Sequence, residues 1–256
     1  MDDFKDFISK VFKKTGLDLA QYKEPQMKRR LTSLYLKHGH KNFNEFFQAI
    51  DKDRKLYDEF LDRMTINVSE FFRNSNRWQI LQDKILPRII KDNRRPKVWS
   101  AACSTGEEPY TLAIILSELL PQSQVQVIAT DIDETAISKA KEGIYVKRSL
   151  QEVPPHIVKK YFSETAKGYA ISDDIKKLVT FKKHNLLADK FDTNYDLIVC
   201  RNVMIYFTDE AKHELYMKFS GALKNEGVLF VGSTEQIFNP QTYNFKALDT
   251  FFYEKY

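Results

Sequence analysis

Apolar residues in the first sixty positions recur at helical spacing. Phe4, Phe7, Ile8, Val11 and Phe12 follow the i, i+3, i+4, i+7, i+8 pattern of one helix face. Met27, Leu31, Leu34 and Tyr35 repeat it until Gly39 breaks the run. Phe43, Phe46, Phe47 and Ile50 form a third stripe, and Leu56, Phe60, Leu61 and Met64 a fourth. The spacing predicts a small all-α N-terminal domain over residues 1–62, built from about four short helices.

The period changes after residue 76. An amphipathic helix, RWQILQDKILPRII, leads into short β-rich runs that alternate with helical ones. The runs are KVWSAAC, VQVIATD, LVTFKKHN, YDLIVCRN and GVLFVGS, and two aromatic segments, YNFKAL and TFFYEKY, follow. Such alternation predicts βαβ units, so residues 77–256 read as α/β with a mostly parallel, Rossmann-like sheet. Between about residues 145 and 180 a polar stretch containing VPPH interrupts the pattern and reads as a small inserted β-subdomain. Residues 63–76 are left as a linker or lid. Their segment NVSEFFRNS is puzzling, because two adjacent phenylalanines suit a linker as poorly as the flanking polar residues suit a core strand.

Composition narrows the class. With 256 residues, 43% of them apolar, the chain can bury a full core. No apolar run approaches the ~20 residues of a membrane span, and the N-terminus MDDFKDFISK is acidic and amphipathic rather than a signal peptide. Cys103 and Cys200 are far apart and read as reduced thiols of a cytoplasmic protein. The net charge is +5, and its distribution is uneven: residues 63–97 hold nine Lys/Arg against three Asp/Glu. That surplus around the linker points to an anionic partner.

The loops after the strands carry the chemistry, since open parallel sheets bind ligands at the carboxyl ends of their strands. AACSTGEEPY offers small residues for close backbone approach, with Pro109 suited to the first helical position. It lacks the G-x-G-x-x-G fingerprint, and Glu107 and Glu108 place negative charge where a pyrophosphate would otherwise sit. The same two acids would also simply stabilise a helix N-terminus. IATDID ends in acids suited to ribose hydroxyls; Asp131 is the better placed, and Asp133 reads as the cap of the next helix. A small-residue loop, a ribose-binding acid and no phosphate cradle fit S-adenosylmethionine (SAM). LKNEGVLFVGS resembles the lead into the fifth strand of SAM-dependent methyltransferases, and the C-terminal aromatic pair suits their closing hairpin. Cys200 reads as a small apolar residue rather than a nucleophile.

Taken together, NVSEFFRN, VWSAACSTGEEPYTLA, ATDID, HNLL and FDTNYDLIVCRNVMIYF closely resemble the CheR family, the SAM-dependent glutamate O-methyltransferases of bacterial chemoreceptors. The resemblance spans essentially the whole chain. It implies methyl transfer from SAM to glutamate side chains of a receptor coiled coil, leaving a methyl ester and S-adenosylhomocysteine. It further implies Arg73 and Tyr206 at the reacting centre. Asn67, Ser69, Arg73, Glu107 or Glu108, Asp131, Asn185, Leu186, Arg201 and Asn202 would line the cofactor site, and Lys28, Arg29 and Arg30 would dock the receptor. No metal, nucleic-acid partner or membrane insertion is expected, and a monomer is. Two rival readings stand: a nucleic-acid methyltransferase that uses the basic segment on phosphates, and a SAM-binding signalling module without turnover.

Overall fold

A computed structural model of the chain describes residues 3–65, 69–92 and 95–256. Four helices open it: α1 (Asp3–Thr15), α2 (Glu24–Lys37), α3 (Phe43–Lys52) and α4 (Arg54–Thr65). Their apolar stripes meet in one cluster in which Phe4, Phe7, Phe46 and Phe60 are fully buried. Phe7 packs edge-on to Phe60 and tilted against Phe43, so aromatic contacts fix the helix angles. Phe12, read as part of the stripe, is 51% exposed at the stripe's edge.

The amphipathic segment after the linker is helical in three steps: α5 (Ser75–Ile80), a π-helical turn (Leu81–Ile85) and α6 (Leu86–Asp92). Pro87 accounts for the wide turn. Its ring has no N–H to donate and would crowd the carbonyl of residue 83, so the preceding backbone widens. Trp78, Leu81 and Ile85 still point into the core.

A seven-stranded sheet follows, ordered β6-β2-β1-β7-β8-β10-β9. Its members are β1 (Val98–Ala101), β2 (Val127–Asp131), β6 (Val179–Lys183), β7 (Tyr195–Cys200), β8 (Leu223–Val231), β9 (Phe245–Asp249) and β10 (Phe252–Lys255). The first five in chain order run parallel, and β10 is antiparallel to both β8 and β9. Helices α7 (Glu107–Leu119), α8 (Glu134–Glu142) and α11 (Asp209–Ala222) cover the sheet. Alternate strand residues therefore feed two cores. Val98, Leu197 and Val199 face one, and Trp99, Ile198 and Cys200 the other. One detail differs from the sequence reading: β8 begins at Leu223, ahead of the expected glycine turn. The irregularity lies inside the pairing, where register shifts between Tyr195 and Leu197 and Glu226 takes a positive φ.

The interruption between β2 and β6 folds as a three-stranded antiparallel sheet, β3 (Ile144–Tyr145), β5 (Gly168–Ile171) and β4 (Phe162–Thr165), in that order. Helices α9 (Pro155–Tyr161) and α10 (Asp173–Lys176) flank it.

Candidate active site

Strand order reverses between β1 and β7, where an open α/β sheet places its ligand. A cleft opens there. Each wall is set by a local device. After β1, the chain turns through Ala102 and Ser104 at positive φ, then through Gly106 at φ 97°. A Cβ on Gly106 would stand 2.8 Å from the Ala140 Cβ and 3.0 Å from the Tyr145 hydroxyl oxygen, so glycine is required. That hydroxyl donates to the carbonyl of Thr105 at 2.9 Å, and so β3 of the inserted sheet braces the loop.

Helix α7 starts at Glu107, two residues earlier than a proline in the first position would give. Pro109 is instead its third residue, still within the four whose N–H lacks an intrahelical acceptor. The two acids then part. Glu108 lines the cleft, accepts the Ser100 hydroxyl at 2.9 Å and faces Arg201 at 3.9 Å. Burial pushes its carboxyl up to about 7, against the pull of Arg201 and Arg73. Glu107 is not among the cleft-lining residues; it accepts from the hydroxyls of Thr105 and Ser69 and ties the linker to α7.

At the end of β2, Asp131 accepts the N–H of Ser104 at 2.7 Å and of Asp133 at 2.9 Å. Burial raises it to about 6. Asp133 caps α8 by accepting from Thr135 and Ala136. Past β6, Asn185 and Leu186 line the cleft beside His184, and Lys218 holds the Leu186 carbonyl at 2.7 Å.

The linker supplies the opposite wall. Phe71 is fully buried and packs edge-on against Tyr145 and Phe162 of the inserted subdomain, while its N–H donates to Ser149. Phe72 turns the other way at φ 53°, donates its N–H to Thr111 and meets Trp78. On either side of these anchors, Ser69 and Arg73 reach the cleft. The carbonyl of Arg73 accepts from the Trp78 indole at 3.0 Å and from Arg201 at 2.9 Å. Arg201 itself is 7% exposed and sits over the rings of Trp78 and Phe230, so it braces the linker as well as forming the wall after β7. Asn67 lies outside the described residues.

Asn202 and Tyr206 also line the cleft. The helical domain reaches in here. Lys23 donates its N–H to the Tyr206 carbonyl at 2.9 Å, Thr208 donates to Gln21 at 2.9 Å, and Tyr22 bridges to Phe207. Tyr22 and Met64 thereby join the cleft wall, along with Ile132 of the β2–α8 turn. The basic triplet on α2 does not share one face. Lys28 lies over Phe4, Arg29 is exposed, and Arg30 stacks over Tyr206.

Sequence reasoning missed Tyr22, Met64, Ile132, His184 and Phe207. Met64 belongs to a helix stripe, and Ile132, His184 and Phe207 sit inside quoted motifs, but nothing in the stretch around Tyr22 marks it as a cleft residue.

Two family profiles match the chain. The all-alpha domain of the CheR methyltransferases covers residues 2–65, and their SAM-binding domain covers residues 67–252. The chain belongs to the CheR methyltransferase family. The chemotaxis protein methyltransferase of Listeria innocua is 44% identical over 254 residues, 99% of this chain and 97% of the relative. That of Borreliella burgdorferi is 34% identical and covers 92% and 88% respectively. Chemotaxis protein methyltransferase 1 of Pseudomonas aeruginosa is 33% identical over 93% and 91%. The chain is thus a SAM-dependent methyltransferase of chemotaxis.

The residues fit that cofactor. A buried carboxylate at the end of β2 suits a ribose, and the small residues Ala102 and Ser104 leave room beside it. Acids at the N-terminus of α7 oppose a phosphate but suit an ammonium group.

Proposed function

We propose that the methyl acceptor is the side-chain carboxylate of glutamates on chemoreceptor helices, and that this family member works in the cytoplasm. The observation that carries the reading is the convergence of Arg73, Arg201 and Tyr206 on a cleft bordered by a basic helix. A glutamate is ionised at neutral pH and already nucleophilic, so no strong base is needed. The cleft must instead hold an anion in line with the methyl group and away from water.

Bound SAM supplies an electrophilic methyl group on a sulfonium; the acceptor carboxylate oxygen gains it, and S-adenosylhomocysteine leaves. The protein's part is positioning. Asp131 would accept from the ribose hydroxyls, Asn185 and Leu186 would flank the adenine, and Glu108, rather than Glu107, would meet the amino group. Ser69, Asn202 and Asn67 would complete the cofactor site. Arg73 would pair with a carboxylate through its planar fork, and the Tyr206 hydroxyl would donate to the acceptor. Glutamate-rich receptor helices would dock on α2, with Arg30 nearest the centre and Lys28 and Arg29 farther out.

Against a nucleic-acid substrate stands the basic surplus around the linker, which is spent partly on pairing within the protein: Arg88 pairs with the buried Glu254 at 2.6 Å and Lys84 with Asp249 at 3.2 Å. No helix among the described residues is long and apolar enough to cross a membrane. Incubation with methyl-labelled SAM and chemoreceptor-rich membranes tests the proposal. Label on receptor glutamates, released as methanol by mild base, is expected; label on RNA, or none, sinks it.

A further inference from the structure

The loop after β7 carries Arg201, Asn202 and Tyr206, yet it lies in no ladder. Asn202 stands at φ 62°, in the left-handed region that non-glycine residues seldom adopt. A side chain holds it there. Oε2 of Glu235 accepts the N–H of Asn202 at 2.7 Å and of Gly232 at 2.8 Å, and Oε1 accepts the N–H of Ile205 at 3.3 Å. Glu235 is 5% exposed. Burying a carboxylate is costly unless it is hydrogen-bonded, so those amides are what allow it there.

Two further observations tie this carboxylate to the loop as well as to its own turn. The turn at 232–235 is already closed by the Glu235 N–H to the Gly232 carbonyl at 2.9 Å, without help from the side chain. A Cβ on Gly232 would stand 2.4 Å from Oε2 and 2.9 Å from the Asn202 nitrogen, so residue 232 is shaped to let the carboxylate in. The backbone of the 3₁₀ turn Met204–Tyr206 is thus held twice, by Glu235 on the Ile205 amide and by Lys23 on the Tyr206 carbonyl.

We infer that Glu235 is a positioning residue for methyl transfer: its carboxylate gathers the amides of Asn202, Ile205 and Gly232 and thereby sets Tyr206 against the acceptor. The inference rests on the proposed contact of Tyr206 with the acceptor. A loop displaced by about 1 Å loses rate far more than binding.

Glu235→Gln keeps the volume but leaves one oxygen where two are needed. Amide hydrogen exchange at Asn202, Gly232 and Ile205 should accelerate while α7 and the strands keep their protection. The expected kcat falls ~10–100-fold, while the KM for receptor stays within about threefold and the Kd for S-adenosylhomocysteine, which Asn202 is proposed to contact, rises by a smaller factor than kcat falls. In a Tyr206→Phe background the same substitution should lower kcat by less than about threefold, because both changes remove one interaction. Unchanged exchange and kcat, or an undiminished loss in the Tyr206→Phe background, overturns the inference. Should Glu235→Gln fail to fold, Gly232→Ala displaces the same carboxylate and must reproduce the pattern. A Tyr206→Phe enzyme with wild-type turnover would remove the Tyr206 reading and with it the proposed route to catalysis; exchange and kcat in Glu235→Gln would then judge the loop clamp by itself.

Discussion

The guanidinium of Arg30 lies over the ring of Tyr206, 5.0 Å from its centroid. A residue of the helical domain thus touches the tyrosine proposed to meet the methyl acceptor, and docking and chemistry adjoin at that point. Arg30→Ala should raise the receptor KM about tenfold or more, as loss of a partly desolvated charge contact does. The S-adenosylhomocysteine Kd, read by calorimetry, should stay unchanged. Arg29→Ala should do less, because Arg29 faces solvent. Normal receptor methylation by the Arg29→Ala, Arg30→Ala double variant would remove α2 from the docking surface.

Arg73 reaches the cleft with its side chain while its carbonyl is held by Trp78 and Arg201. Substitution by alanine keeps those carbonyl bonds. Arg73→Ala should therefore fold normally and lose kcat by ~100-fold or more through misplacement of the carboxylate. Circular dichroism and turnover with labelled SAM separate the two. A thermally destabilised variant with its kcat intact would assign Arg73 to structure.

Phe71 is fully buried between Tyr145 and Phe162, outside the cleft lining but two residues from both Ser69 and Arg73. Phe71→Ala should cost about 3–5 kcal/mol of stability. It should also weaken cofactor binding, because the linker loses its anchor on the inserted subdomain. Denaturant unfolding, with and without saturating S-adenosylhomocysteine, reads both effects.

Burial raises Asp131 to about 6 and Glu108 to about 7. In the free protein this disfavours the ionised carboxylates, so each group withdraws stability as pH rises through its folded-state value. Cofactor binding has the opposite sign, since ribose hydroxyls and an ammonium group need charged acceptors. The affinity for S-adenosylhomocysteine should fall as pH drops from 7 to 5, with each titrating group contributing up to about tenfold per unit below its value. Asp131→Asn should bind more weakly at pH 7 and flatten the lower part of the profile.

Much of the architecture was legible along the chain. Four stripes at helical spacing gave four helices, and apolar runs of strand length gave the sheet, because both periods record which face is buried. Asp131 and Asp133 could be separated by position alone, the first at the strand end and the second as a cap. Glu107 and Glu108 could not. Adjacent helix residues point about 100° apart, and which one faces the cleft depends on how α7 is rolled against the sheet. The triplet Lys28, Arg29 and Arg30 diverged for the same reason.

The puzzle of NVSEFFRNS resolves in the same terms. The sequence by itself determined that a polar stretch with two aromatic anchors joins a helical domain to a SAM-binding sheet, since hydrophobic spacing and strand-end chemistry are local. It could not place Phe71 in the inserted subdomain, Tyr22 in the cleft wall or Glu235 under the Tyr206 loop. Those contacts join residues distant along the chain, and packing and the hydrogen-bonding needs of buried polar groups settle them only once the chain has closed on itself.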